Sequence, residues 1–503
     1  MLTGYSALVQ ELKLAVPTPY MESRIAGAVR RSEVHADRAL ETYPKKQAHA
    51  GHLKAHLLFA LKHEPTDLRV LAAAFKQLGS GLVRSMLLDA PTGAYARKAW
   101  FLYEYLTGQF LDLPNAKSGA YTDVLDPKRH IVGVRRTSSR HRVWDNLLGV
   151  PGFSPTVRRT QKLTSRINEE LNKEVVSLTK AVEPHILRRA TSYLYTKETK
   201  STFEIENEHP SPRRQERFVA ALVDAAKLDL SDKAALIALQ NKIVDPRYAA
   251  KDWREFQNYV GETAGNFREI VHLICPKAAD VPALMMALSQ AGKRALTDSI
   301  DPVIAATLLS FGFVFIHPFE DGNGRIHRFL IHSVLSKTGF SPEGLIFPVS
   351  VSIVRDMGAY DAALEKFSKP LLSLIDWRFT EKQELLVEGE TADHYRYFDA
   401  TPQAEYLYDR VAETVHKDLA DELDFLSIYD RAYKAAREVV DMPNKKLSLF
   451  VRLCMQNNGR LGKNRRKTFA ELTDSEVRAM EAAVSSARHP HTEEELEVTE
   501  AND

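Results

Sequence analysis

Twelve consecutive residues carry the chemistry most legible in this chain: His317-Pro318-Phe319-Glu320-Asp321-Gly322-Asn323-Gly324-Arg325-Ile326-His327-Arg328. Gly322 and Gly324 lack side chains, so the backbone N–H groups between them can approach an anion closely. Arg325 and Arg328 are three apart, on one face of a helix, and can both reach phosphates held there with a bidentate fork. Asp321 is a lone carboxylate beside this positive cradle, which suits Mg²⁺, a cation that takes one or two carboxylates and completes its shell with phosphate oxygens and water. His317 is the one group of the set that titrates near neutrality when unperturbed, and is the candidate general base. Pro318 and Phe319 read as structural, with Phe319 anchoring the loop. His327 and His332 lack metal-ligand spacing and read as helix packing or surface.

These groups need two elements to hold them. Asp301 to Ile316 is apolar and helix-compatible. Phe329, Leu330, Ile331, Val334 and Leu335 recur at helical spacing up to Gly339. The polar cluster is therefore expected in a loop between two buried helices, with the N-terminal, partially positive end of the second helix aimed at the anion cradle.

The stretch resembles, at every defining position, the signature of the Fic (filamentation induced by cAMP) family, His-x-Phe-x-(Asp/Glu)-Gly-Asn-Gly-Arg-x-x-Arg. The resemblance implies a helical core that binds ATP with Mg²⁺ and transfers AMP to a hydroxyl of a target protein. By the same resemblance, His317 would deprotonate the hydroxyl and Asp321 would hold the metal. Asn323 with the backbone around Gly322 and Gly324 would hold the α-phosphate, and Arg325 and Arg328 would orient the β- and γ-phosphates. The related Doc kinases carry Lys where this chain has Gly324, so Gly324 favours nucleotide transfer over phosphorylation.

A second stretch, Ser201-Thr202-Phe203-Glu204-Ile205-Glu206-Asn207, reads locally as a polar helix start before the breaker Pro210. It also resembles the Fic inhibitory motif, (Ser/Thr)-x-x-x-Glu-(Gly/Asn), placed N-terminal to the core. The resemblance implies that Glu206 pairs with Arg328 and restrains the enzyme. In some relatives the same glutamate supports removal of AMP, so the direction of the reaction stays open. Phe256 to Gly261 and Val271 to Leu284 resemble the surroundings of the family's flap, a β-hairpin that would bind the target by main-chain pairing.

The chain has 503 residues, 44% hydrophobic and 27% charged, with a formal net charge of +2. That composition implies a folded globular protein of more than one domain. Its two cysteines, Cys275 and Cys454, offer no disulfide or zinc framework. With neither a leader pattern nor an apolar run long enough for a membrane, a cytoplasmic location is expected. The fold expected is mainly α, a helical core with a small β-hairpin flap between N-terminal and C-terminal helical domains. Residues 1–126 are read as an N-terminal helical domain whose aromatic strip, Trp100, Phe101, Tyr103, Tyr105 and Phe110, belongs to its core. Residues 127–195 are a connector and helix in which basic residues from Lys128 to Arg166 accumulate, and Arg217 to Leu239 reads as one amphipathic helix. Residues 196–380 form the catalytic domain with its inhibitory helix. Residues 381–492 form a C-terminal helical domain with a helix-turn-helix or winged-helix pattern, and 493–503 an acidic, disordered tail.

Two readings from different classes follow. The first is an autoinhibited protein adenylyltransferase using ATP and Mg²⁺ on a target seated on the flap, with self-modification and a homodimer left open. The second is a nucleic-acid-binding regulator, with DNA as partner of the basic segments and the Fic-like core as a sensor. De-AMPylation, or transfer of another phosphate-containing group, remains a variant of the first. Neither involves a membrane.

Overall fold

The computed structural model describes residues 1–35, 38–48, 51–265 and 269–488. The fold is mainly α, and its contacts group into two units, 1–172 with 195–412, and 173–194 with 413–503. The segment 1–126 is thus packed as one unit with the catalytic core, unlike the separate domain read from sequence.

The two helices expected around the polar cluster form the centre of the first unit. Asp301 accepts hydrogen bonds from Val303 N–H and Ile304 N–H, both at 3.0 Å, and caps the helix Pro302–Ile316, whose proline stands where no N–H is needed. Every residue from Val303 to Ile316 is buried, as befits a helix apolar on all sides. The next helix, Asn323–Lys337, ends just before Gly339, which has a left-handed φ of +69°. Helices Pro212–Val223, Lys233–Ile243, Val281–Thr297 and Met357–Leu371 complete this core. Arg217 to Leu239 is therefore not one helix. Asp232 caps a new start by accepting from Ala235 N–H, after a turn in which Asp229 accepts from Ser231 N–H.

The flap is an antiparallel hairpin, Tyr259–Thr263 with Glu269–Ile274, bulged between Val260 and Gly261. The N-terminal segment departs from the all-helical expectation. A four-stranded sheet orders Leu2–Thr3, Met21–Ile25, Ala39–Tyr43 and Arg31–Val34, with Met21 opposite Ala39 in a parallel pair. These strands are too short for their alternation to outweigh the neighbouring helical pattern. Trp100, Phe101, Tyr103 and Tyr105 are core as expected, whereas Phe110 is 78% exposed.

The basic run beyond residue 127 holds short strands joined by turns, among them Arg136–Ser138, Val143–Asp145 and Val157–Arg158, and ends in the helix Gln161–Asn168. Most of its charges are met by this chain's own acids: Arg135 by Asp123, Arg136 by Asp298, Arg140 by Glu104, Arg158 by Asp399, and Lys162 and Arg166 by Asp409.

In the second unit, helices Ala420–Val439, Asn444–Gln456 and Asp474–Arg488 close over Leu447, Phe450, Phe469 and Met480. Among its described residues there is no strand, hence no wing of a winged helix. The acidic stretch 493–503 lies outside the described residues. No described helix is long and apolar enough to cross a membrane, and both cysteines are buried and unbonded.

Candidate active site

His317 ends the helix Pro302–Ile316 in the left-handed conformation, φ 53° and ψ 60°. Its ring sits 3.1 Å from the Val314 carbonyl through Nδ1. A carbonyl only accepts, so Nδ1 carries the proton and Nε2 keeps its lone pair. Burial, and secondarily the charge of Arg254, push the imidazole down to about 4. The ring is therefore neutral at pH 7, the protonation state of a general base.

Three contacts hold the loop after His317. Phe319 is fully buried against Trp253 and Phe313, with ring centroids 5.1 and 6.3 Å away. The buried amide of Asn323 accepts from Phe319 N–H at 3.1 Å and donates to Phe319 O at 2.9 Å, closing the loop on itself. Gln240, from the helix Lys233–Ile243, donates to the Asp321 carbonyl at 3.1 Å. Asp321 Oδ1 accepts from Gly322 N–H at 2.6 Å and from Arg325 at 2.7 Å, whereas Oδ2 accepts no hydrogen bond among the described residues.

The two glycines are needed for different reasons. Gly322 has φ +89°, which an L side chain rarely adopts, and a Cβ there would stand 2.7 Å from Val244. Gly324 is helical, but a Cβ on it would lie 2.3 Å from Glu206 Oε1. The missing side chain makes room for a carboxylate at the N-terminal turn of the motif helix.

That carboxylate arrives from the helix Pro184–Ile205, of which Tyr195 onward belongs to the first unit. Thr202 to Asn207 is thus the end of a helix and not its start. Asn207, with φ 53°, takes the left-handed turn that stops it, while Glu206 and Glu208 N–H both reach Phe203 O. Within this unit, Glu198, Thr202 and Glu206 recur every fourth residue and meet His332, Arg328 and Gly324 in antiparallel order. His332 Nε2 lies 2.8 Å from Glu198 Oε1. Arg328 donates to Thr202 Oγ1 at 2.6 Å, to Thr202 O at 2.8 Å and to Glu206 Oε1 at 2.6 Å. Burial acts to raise the Glu206 carboxyl, but Arg328, followed by Arg325 and His317, outweighs it and holds the group below the usual carboxylate range.

All the motif residues singled out in the sequence thus converge on one helix N-terminus, with Glu206 among them. His332, read as packing or surface, is buried and paired with Glu198. One carboxylate was missed. Glu208 lies 2.9 Å from Arg325 Nη1, and its other oxygen accepts from Arg214 at 2.9 Å. Arg325 is 1% exposed, as is Arg328, and both arginines of the motif are held by acids of the segment after the helix Pro184–Ile205. Nothing in the periodicity marks Glu208, because it lies beyond the helix end.

Residues 227–335 match the model of the Fic/DOC family. The chain is 31% identical over 126 residues to the protein adenylyltransferase Fic of Drosophila grimshawi, covering 24% of this chain and 23% of that protein. It is 42% identical over 53 residues to the protein adenylyltransferase fic-1 of Caenorhabditis elegans, 10% of either chain. The matches therefore span less than a quarter of these relatives' length. A solved Fic family protein from Desulfovibrio desulfuricans G20 aligns at 20% identity and TM-score 0.38, over 66% of this chain and 95% of that one. C. elegans Fic-1 aligns at 15% and 0.34, over 71% and 92%. The family likeness is thus carried by residues 227–335, a Fic domain within a longer chain.

Proposed function

We propose that this chain is a protein adenylyltransferase restrained by its own inhibitory helix. The observation that carries the reading is the placement, at one helix N-terminus, of a neutral histidine with a free Nε2 lone pair and two buried arginines already neutralised by carboxylates. The names of the relatives, protein adenylyltransferases, support it.

In the active state, ATP replaces the carboxylates. Arg325 and Arg328 take the β- and γ-phosphates, and backbone N–H groups from Gly322 to Gly324 hold the α-phosphate with the remaining N–H of the Asn323 amide. Asp321 would hold Mg²⁺. Its Oδ2, which accepts no hydrogen bond among the described residues and stands beside a helix N-terminus, fits a cation whose other ligands come from phosphate and water. When bound, the ion supplies charge neutralisation for the leaving pyrophosphate. His317 Nε2 takes the proton from a hydroxyl of the target protein as its oxygen attacks the α-phosphorus, and pyrophosphate departs with the electron pair of the broken P–O bond. The flap hairpin presents the target strand to this site.

Restraint follows from competition. Glu206 occupies Arg328 and stands against Gly324, so a γ-phosphate meets a carboxylate where it needs a guanidinium. Internal pairing of the basic run from Arg135 to Arg166 removes much of the support for a nucleic-acid role.

The experiment is incubation of wild-type, Glu206→Gly and His317→Ala protein with Mg²⁺ and ATP labelled separately at the α- and γ-phosphate. Label on protein from the α-phosphate alone, strong in Glu206→Gly and lost in His317→Ala, is expected. Label from the γ-phosphate would mean phosphorylation. Removal of AMP by wild-type protein from a modified target would reverse the direction of the reading.

A further inference from the structure

Arg254 stands just before the flap, 5% exposed, and has no ion pair among the described residues. Every bond its guanidinium makes there is to a main-chain carbonyl. Nε donates to His317 O at 2.8 Å, Nη1 to Phe256 O at 2.7 Å and Nη2 to Pro276 O at 2.6 Å, while the Arg254 backbone N–H reaches Pro318 O at 2.9 Å. A buried charge without a counter-charge is costly and is retained only where charge-assisted hydrogen bonds offset its desolvation. Those bonds connect three separate segments.

The segments are informative. Phe256 precedes the first strand of the flap, Pro276 follows the second, and His317 carries the lone pair. The hairpin base is itself closed, since Gln257 donates to Asn258 O and to Cys275 O, and Cys275 N–H to Asn258 O. The flap therefore hangs on the guanidinium by both feet. The His317 carbonyl is one of the orphan acceptors at the end of the helix Pro302–Ile316, and a planar fork is what reaches it and both feet at once.

We propose that Arg254 is a positioning residue, tying both feet of the flap to the backbone of His317 so that a target hydroxyl presented by the flap meets Nε2 in register. This rests on the adenylyltransferase reading. The guanidinium donors all end on main-chain carbonyls, so Arg254 acts through His317 and the flap. The charged groups that face the His317 ring are Arg254, Glu206 and Asp321, so the arginine also helps to keep the imidazole neutral.

The test uses the full chain carrying Glu206→Gly, alone and combined with Arg254→Lys or Arg254→Gln. Four quantities are read: the partition of α-phosphate label between protein and free AMP, ATP affinity, hydrogen exchange of the flap strands, and titration of the His317 ring by NMR. Arg254→Lys keeps the charge and the aliphatic stem, and serves where Arg254→Gln does not fold. Expected for Arg254→Lys are unchanged ATP affinity and release of AMP to water, an unchanged His317 titration, faster exchange of Tyr259–Thr263 and Glu269–Ile274, and protein labelling reduced about 10- to 100-fold. Arg254→Gln should in addition raise the His317 titration midpoint. Parallel loss of labelling, AMP release and ATP affinity would mean a merely structural role and overturn the proposal, as would unchanged labelling in Arg254→Lys. If the Glu206→Gly parent transfers no AMP at all, the adenylyltransferase reading fails by itself. Arg254 is then judged on flap exchange, which overturns the proposal if Arg254→Lys leaves it unchanged.

Discussion

Arg328 Nη2 donates to Glu206 Oε1 at 2.6 Å and to the Thr202 carbonyl at 2.8 Å, so one guanidinium nitrogen is bound by both a backbone carbonyl of the helix Pro184–Ile205 and the side chain of the residue that follows it. Replacing Glu206 with Gly removes the charge that competes with phosphate but leaves both Thr202 contacts. The helix should stay docked while Arg328 becomes available. AMP transfer is expected to rise about tenfold or more, the worth of one charge-assisted hydrogen bond. A melting temperature close to wild type, with an unchanged transfer rate, would dismiss Glu206 as the restraint.

Glu208 stands in ion-pair distance of Arg325, 2.9 Å from Nη1, while Glu206 hydrogen-bonds Arg328. Its other oxygen is fixed by Arg214, which also donates to Ile243 O at 2.9 Å. Glu208→Gln should therefore strengthen ATP binding, and combined with Glu206→Gly it should exceed the single variant. Titration of the nucleotide against the four proteins measures both effects. Equal affinity of Glu206→Gly and the double variant would leave Glu208 without a part in restraint.

The placement of the candidate site's loop was legible because its residues are contiguous. From His317 to Arg328, the proposed base, cradle and clamp need only the helix ends on either side, and the apolar run before and the periodic one after supply those. Glu206 carried no such local signal and was found only through the resemblance of its motif. Glu208 and Arg254 were not legible at all. The carbonyl that Arg254 meets at His317 is 63 residues away, and no periodicity encodes such a pairing. The basic run misled for the same reason, since Asp298, Asp399 and Asp409, which neutralise much of it, come from distant parts of the chain. In the N-terminal sheet, the parallel pairing of Met21–Ile25 with Ala39–Tyr43 leaves those two strands without a connecting hairpin turn for a sequence to announce.

Glu198 anchors the helix Pro184–Ile205 two turns before Glu206. It is 1% exposed, accepts from Ser350 N–H at 2.9 Å and from Ser350 Oγ, and pairs with His332. Glu198→Ala leaves those donors unsatisfied in the interior, a cost of about 1–3 kcal/mol. Because the same carboxylate docks the helix proposed to restrain the enzyme, activity and stability should move in opposite directions, with a lower denaturation midpoint and faster AMP transfer. A destabilised variant without faster transfer would make Glu198 a packing residue only.

Acid should act on this fold through its buried imidazoles. Burial, with lesser effects of nearby cations, pushes His317 and His130 down to about 4 and His327 to about 3, against about 6.5 in an unfolded chain. Above pH 6.5 neither state binds these protons and the three residues contribute nothing to pH dependence. As pH falls from about 6.5 toward 4, the unfolded chain takes up protons that the folded one refuses, so stability declines, and the decline levels off below the folded values. His327 is packed edge-on against Phe311, with centroids 4.6 Å apart. An apolar replacement such as His327→Leu removes its share of the proton uptake. Urea midpoints measured at pH 7.5 and pH 5 should therefore differ less in His327→Leu than in wild type, whatever the absolute stability of the variant. An identical difference in the two proteins would mean that His327 is already protonated in the fold.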